Sequence, residues 1–325
     1  MSLLQGAVSA DVDTLACLYK GRGCRRSGGY SYIDLRAGLE TMSRFLERYQ
    51  ARATLFMVGR DFEPPANHAA IRATAGAGHE LANHSMTHAQ GFRLLAPAAQ
   101  AAEIAGMEEA CVRVTGRRPV GFRAPGWNVG DSALPILVAR GYGYDSSVFP
   151  TIASPALKAA HWYVTRGCPR IERTTMGRLS YMTAPVLPYR TTRNGLGRRG
   201  RDGIVEIPIT VLPWTRLPFS ATFLVATGFD IFRRSYLALR NRGRPLQFQF
   251  HLSDFVDYGQ RDLADELPRD GEGFYIAKAL RMPLPRKLEL FTAAMDLIAE
   301  DYAFSTLADW AKRVPPAAVD TLRGQ

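Results

Sequence analysis

Short apolar runs alternate along this chain with longer stretches in which apolar residues recur every three or four positions. Gly6–Ala10, Ala53–Val58, Val120–Phe122, Tyr142–Asp145, Ile204–Val211 and Pro245–Phe250 read as buried strands, as does the start of the segment Gly78–His88. Four helices are predicted among the earlier strands. They are Leu35–Tyr49, with Leu35, Leu39, Met42, Phe45, Leu46 and Tyr49 at helical spacing; Pro64–Ala75, opened by two prolines; Pro97–Thr115, with Glu103, Glu108 and Glu109 toward solvent; and Ser132–Arg140, for which Asp131 is a candidate N-cap. Asp230–Arg242, Pro285–Glu300 and Leu307–Lys312 follow as helices, with Ala303–Ser305 as a closing strand. Such alternation predicts an α/β fold with a parallel sheet.

The alternation fails in two places. From about 149 to 203 the chain is rich in Pro, Gly and Arg, including Arg190, Arg193, Arg198, Arg199 and Arg201. This stretch reads as an irregular insertion with room for a β-hairpin, its arginines either a solvated surface or an anion-binding loop. Leu212–Phe232 is unusually aromatic for a loop, which fits core packing or an apolar lip beside a site. Residues 18–31 read as a Gly- and Arg-rich loop, and the tail from Val314 is expected to fray. The whole chain, 1–325, is read as one domain.

The polar residues of interest follow strand ends. Asp11-Val12-Asp13 closes the first strand, where positions i and i+2 share a face, so both carboxylates can enter one site. The alternative for this trio is an Asx-rich turn. His84 and His88 lie four apart in a chain with six histidines, and a tight turn or helix there would aim both imidazoles one way. Neutral imidazole ligates Zn²⁺ and its divalent neighbours, although a solvated or satisfied histidine pair gives the same spacing. His79 reads as a hydrogen-bonded core histidine, and His68 and His161 as surface residues. Arg123 follows another strand, and His251 a late one.

Composition narrows the classes. Hydrophobic residues make up 46% and charged residues 22%, ordinary values for a globular chain. The net charge of +11 is carried mainly by arginine, which suits phosphate and carboxylate partners. No zinc-finger spacing, helix-turn-helix block or basic run with interleaved aromatics accompanies it, so nucleic acid is not expected as a partner. Four cysteines without a Cys-x-x-Cys pair point to a reducing compartment. No basic and then apolar leader opens the chain, and no window reaches 18 uninterrupted apolar residues. A cytoplasmic protein is therefore expected, soluble or peripheral at the inner membrane face. A homo-oligomer is left open.

In combination these residues resemble the polysaccharide deacetylases of the NodB-homology type, carbohydrate esterase family four. The likeness covers residues 6–147 well and 204–252 more loosely, and leaves the insertion unaccounted for. Asp11-Val12-Asp13 matches the first motif in its spaced form, His84-Ser85-Met86-Thr87-His88 the second, Arg123-Ala124-Pro125-Gly126-Trp127 the third, and Phe248-Gln249-Phe250-His251 the last. The resemblance implies a distorted (β/α)7-type barrel. Asp13, His84 and His88 would be metal ligands, Asp11 the general base, Arg123 its holder and His251 the general acid. Pro125, Trp127 and Asp145 would contact substrate. Asp145 also stands near the place of the aspartate that tunes the acid; Asp254 is its rival. The implied activity is metal-dependent hydrolysis of an N-acetyl or N-formyl group from an amino sugar, nucleotide-linked or lipid-linked, with Zn²⁺ foremost and Co, Ni or Fe as alternatives. Contact with an anionic membrane would suit a lipid-linked substrate. An allantoinase-like amide hydrolase and a catalytically silent glycan-binding barrel are the rival readings.

Overall fold

The computed structural model describes residues 3–20, 31–166, 173–264 and 280–315. Its strands are β1 (Leu4–Val12), β2 (Ala53–Met57), β3 (Glu80–Asn83), β4 (Gly121–Phe122), β5 (Tyr144–Asp145), β6 (Tyr189–Thr192), β7 (Gly195–Arg199), β8 (Val205–Glu206), β9 (Leu246–His251) and β10 (Tyr302–Phe304). Seven of them form a parallel path in the order β9-β1-β2-β3-β4-β5-β8. β10 pairs with the first residues of β1. The sheet curls into the expected distorted barrel but stays open between β8 and β9: no strand pairing joins them among the described residues, although the Gln247 amide N–H donates to Thr210 Oγ1 at 2.9 Å. Residues 6–12 of β1 are buried throughout, because a central parallel strand is covered on both faces.

Helices pack outside the sheet. They include α1 (Leu15–Lys20), α2 (Ile33–Glu47), α3 (His68–Gly76), α4 (Pro97–Thr115), α5 (Ala133–Ala139), α6 (Ser154–Val164), α7 (Ala221–Thr227) and α8 (Phe229–Arg240), followed by Leu284–Ala299 and Leu307–Arg313. The apolar stripe of α2, Leu35 to Leu46, enters the main core with the β1, β2 and β9 side chains. Phe92, Ile104, Phe122, Leu134 and Leu137 build a second cluster under α4 and α5.

Three expectations are corrected. Asp131 does not cap α5; its carboxylate accepts from the Leu196 amide and pairs with Arg178, so the insertion takes the group that a cap would have used. The insertion is more regular than its composition suggests. It contains α6, with Pro155 in its first turn, and the antiparallel hairpin β6–β7, of which β6 pairs with the free edge of β8 and covers it. The stretch 212–232 is not a loop throughout: Ser220 Oγ caps α7, and Phe219 stacks on Phe232 with ring centroids 4.6 Å apart beside Phe248. Most of its aromatics are core, while Trp214 and Leu217 remain exposed. The expected loop at 18–31 and the tail from Val314 fall largely outside the described residues, as do Cys24 and Cys168.

Candidate metal centre and the pairs around it

The site lies at the C-terminal ends of the parallel strands. β1 delivers Asp11 in register with His251 of β9, and Asp13 follows one residue past the strand end. β3 leads into the histidine turn. Asn83 shapes this turn: its Oδ1 accepts from the Ser85 amide at 2.8 Å, while its Nδ2 donates to Ile104 O and Tyr142 OH. Glu103 on α4 accepts from both the amide and the hydroxyl of Thr87 at 2.8 Å. Ser85 and His88 take positive φ of 65° and 50°, so the pair is presented by a tight turn rather than by a helix. Met86 reaches down onto Gly59, where any Cβ would stand 2.4 Å from its sulfur.

Asp13 Oδ1 lies 3.2 Å from His88 Nε2 and 3.5 Å from His84 Nε2, and three such donor atoms gather within 4.8 Å of one another. A tetrahedral ion with ligands at about 2.0–2.1 Å sets its donors about 3.3 Å apart, so the spacing fits. Asp13 Oδ1, His84 Nε2 and His88 Nε2 are buried without a hydrogen-bond partner, a cost that a shared ion removes; His88 Nδ1, on the far side of the ring, is buried without one as well. His84 Nδ1 donates to the Arg123 carbonyl at 2.7 Å, which turns the lone pair of Nε2 into the cluster. The residues present therefore fit a divalent metal.

In the metal-free chain burial opposes charge on Asp13 and His84, and their neighbours oppose burial. Burial alone would raise Asp13, but His88 and His84 hold its carboxyl well below the usual carboxylate range. Burial opposes charge on His84, yet Asp13 and Asp11 raise it above an ordinary histidine. A raised histidine contributes stability that is present at low pH and lost as pH rises through its folded value. Metal entry must displace that proton, so affinity is expected to increase with pH across the range where His84 deprotonates. Calorimetric titration with Zn²⁺ at several pH values checks this; an affinity flat with pH contradicts it.

Beside the cluster lies a second built feature. Arg123 is wholly buried, its guanidinium 3.9 Å above the Phe56 ring. Nη1 donates to Asp11 Oδ1 at 2.6 Å, Nε to Ser146 O at 2.9 Å and Nη2 to Ser146 Oγ at 2.8 Å. The Gln247 amide, turned with its oxygen toward Arg123, accepts from Nη2 at 2.6 Å and donates to Pro208 O. Gln249 Nε2 donates to Asp11 Oδ2 at 2.9 Å. Both Asp11 oxygens are thereby fixed.

His251 and Asp254 form a reciprocal cap. The Asp254 carboxylate accepts from the His251 amide at 2.8 Å, and the His251 ring accepts from the Asp254 amide. The ring nitrogen so engaged is an acceptor. The Trp127 ring stands edge-on to His251 at 6.3 Å. Trp127 is half-buried, with its Nε1 unpartnered, and Pro125 is buried behind it.

Asp145 does not sit where a substrate could touch it. It is fully buried, accepts from the Ser147 hydroxyl at 2.6 Å and faces Glu206. Burial and the Asp145 charge push the Glu206 carboxyl well above the carboxylate range, and burial raises Asp145 as well. Asp254, the rival, is the residue that engages His251. Sequence reasoning passed over Gln247, Gln249, Ser146 and Glu206. The two glutamines had a signal: in Gln247-Phe-Gln-Phe-His251 they share the face of His251 by period-two alternation. His79 behaves as expected, its Nδ1 accepting from the Ala53 amide at 3.0 Å.

Residues 31–145 match the family model for polysaccharide deacetylases, a span that includes His84, His88 and Arg123 but not Asp11, Asp13 or His251. No curated protein matches the chain. Among solved structures, a provisionally assigned polysaccharide deacetylase from Mycobacterium smegmatis is 20% identical over 99% of this chain and 96% of its own, with a TM-score of 0.57. PuuE allantoinase is 15% identical over 95% of this chain and 89% of its own, with a TM-score of 0.55. These likenesses establish a shared fold.

Proposed function

We propose that this chain, whose residues 31–145 match the polysaccharide deacetylase family model, is a metal-dependent hydrolase of that family removing an N-acetyl or N-formyl group from an amino sugar. The observation that carries this reading is the adjacency of two built features: the buried, unpartnered Asp13–His84–His88 cluster, and an Asp11 carboxylate locked by Arg123 and Gln249. Asp13, His84 and His88 would hold a divalent ion, zinc foremost, which would supply Lewis acidity for a water and an acyl carbonyl. Asp11 stands next to the cluster as a carboxylate outside it and takes the proton of the attacking water. Arg123 keeps that carboxylate oriented through a charge-assisted contact. His251 would give a proton to the departing amine from its imidazolium form, in which the ring gives up its contact with the Asp254 amide, while the Asp254 carboxylate holds the residue through its backbone N–H. Trp127 forms the wall against which the sugar rests.

Release of acetate and formate across N-acylated monosaccharides, nucleotide sugars and lipid-linked amino sugars, with and without chelator, tests this reading. Release from one sugar class, abolished by chelator and restored by Zn²⁺, is expected. Turnover of a cyclic ureide such as allantoin instead would replace the sugar assignment. Absence of turnover by the metal-loaded protein on every class would leave a barrel that only binds.

A further inference from the structure

We propose that the insertion carries a docking surface for an anionic lipid bilayer. This inference does not rest on the hydrolase reading. Between residues 149 and 203 the sequence holds ten Lys or Arg and two Asp or Glu, a balance of +8 within a chain of +11. The insertion and the turn that follows it gather exposed apolar surface. Of the fourteen large hydrophobic side chains exposed among the described residues, seven lie between 152 and 217.

Three aromatic rings in that span are more than half exposed: Trp162 at 59%, Tyr163 at 64% and Trp214 at 78%. Each has a guanidinium over it. Arg173 lies 4.1 Å from the Trp162 ring centroid, Arg166 4.7 Å from that of Tyr163 and Arg242 3.7 Å from that of Trp214. Among the described residues no carboxylate forms an ion pair with any of these three arginines. Arg244 adds positive charge near Arg242 and Arg216.

These pieces share one neighbour, the 3-10 turn Leu179–Thr183. It packs against α6 and β7, and Arg216, from the turn bearing Trp214, donates to Met182 O and Ala184 O just past it. α6 is tied to the wall of the metal centre. Lys158 donates to Thr175 O and Gly177 O, and the Met176 amide donates to Gly126 O, next to Trp127.

The chemistry selects the occupant. Tryptophan and tyrosine with arginine are the residues of the membrane–water interface, where the ring lies at headgroup depth and the guanidinium meets phosphate. A nucleic acid would use the arginines and rings but leave Ile152, Leu179 and Leu217 without a partner. A bilayer offers partners to both kinds of side chain. No helix of the described residues is long and apolar enough to cross a membrane, so contact would be peripheral.

Sedimentation with vesicles of phosphatidylcholine, alone and mixed with phosphatidylglycerol, tests the proposal, using metal-free and metal-loaded protein. Partition onto the anionic vesicles only, equal with and without metal and weakening with salt, is expected. Paired Trp162→Ala and Tyr163→Ala substitutions should lower it on the order of tenfold, and Arg166→Gln with Arg173→Gln by about fivefold per charge. Both variants should keep zinc uptake, because none of these side chains belongs to the metal cluster, and the aromatic pair, being exposed, should keep the parent melting temperature. Failure to partition at low salt, equal binding to neutral vesicles, unchanged partition of the variants, or tighter binding to an oligonucleotide at the same salt would overturn it.

Discussion

Asp13→Asn is expected to abolish zinc binding and hydrolysis together while leaving the fold intact. Asparagine keeps the shape of the side chain and removes only its charge. The carboxylate is the one anionic member of the cluster, and it sits 3.2 and 3.5 Å from two imidazole nitrogens that have no other partner. Loss of an outer partner of a metal ligand costs roughly 10- to 100-fold in affinity; loss of the anionic ligand itself is expected to exceed that. An ion that stabilises several kcal/mol of transition-state charge is worth on the order of 10³-fold in rate or more. Metal analysis of the purified variant, with acyl-release kinetics at saturating zinc, measures both. One equivalent of zinc held at parental affinity by Asp13→Asn would remove this aspartate from the site. His88→Asn is a useful companion, since asparagine tolerates the positive φ of 50° at that position and the backbone turn should survive.

Arg123→Met is expected to damage both stability and turnover. Arg123 is completely buried and satisfies Asp11, the Ser146 carbonyl and hydroxyl, and Gln247. Its removal leaves a carboxylate in the interior with Gln249 as its remaining partner. Breaking a buried pair from one side costs about 3–5 kcal/mol. Lysine does not rescue it, because a single ammonium cannot span Asp11, Ser146 O and Gln247 as the planar fork does. Urea denaturation of the metal-free proteins measures the cost. Adding Asp11→Asn to Arg123→Met removes the unpaired charge and should recover part of the stability without restoring turnover, a non-additivity expected of residues in contact. A single variant within about 1 kcal/mol of the parent would contradict the buried-pair account.

The alternation of strands and helices was legible because most elements bury one face, and burial writes a period of 2 or 3.6 into the chain. Pro97–Thr115 has the same limits by pattern and by structure, and most other elements before 148 differ by a few residues. α6 escaped for the complementary reason. Its largest side chains, Trp162 and Tyr163, point to solvent, so the helix leaves no buried stripe to read. Its alanines and the proline in its first turn were the only local signal, and both are weak beside tertiary packing.

What the sequence determined by itself was the kind of fold and the identity of the chemical groups: two aspartates sharing a strand face, two histidines four apart, an arginine and a late histidine, each after an apolar run. Those facts are local, set by the pleat of a strand and the reach of a turn. The tertiary structure alone decided which groups meet. It joined Asp11 to Arg123 across 112 positions, turned Asp145 away to face Glu206, and gave His251 its cap from Asp254. It also placed a loose-looking insertion against the edge of β8. Pairings over such separations depend on the curl and register of the whole sheet, which no window of sequence contains.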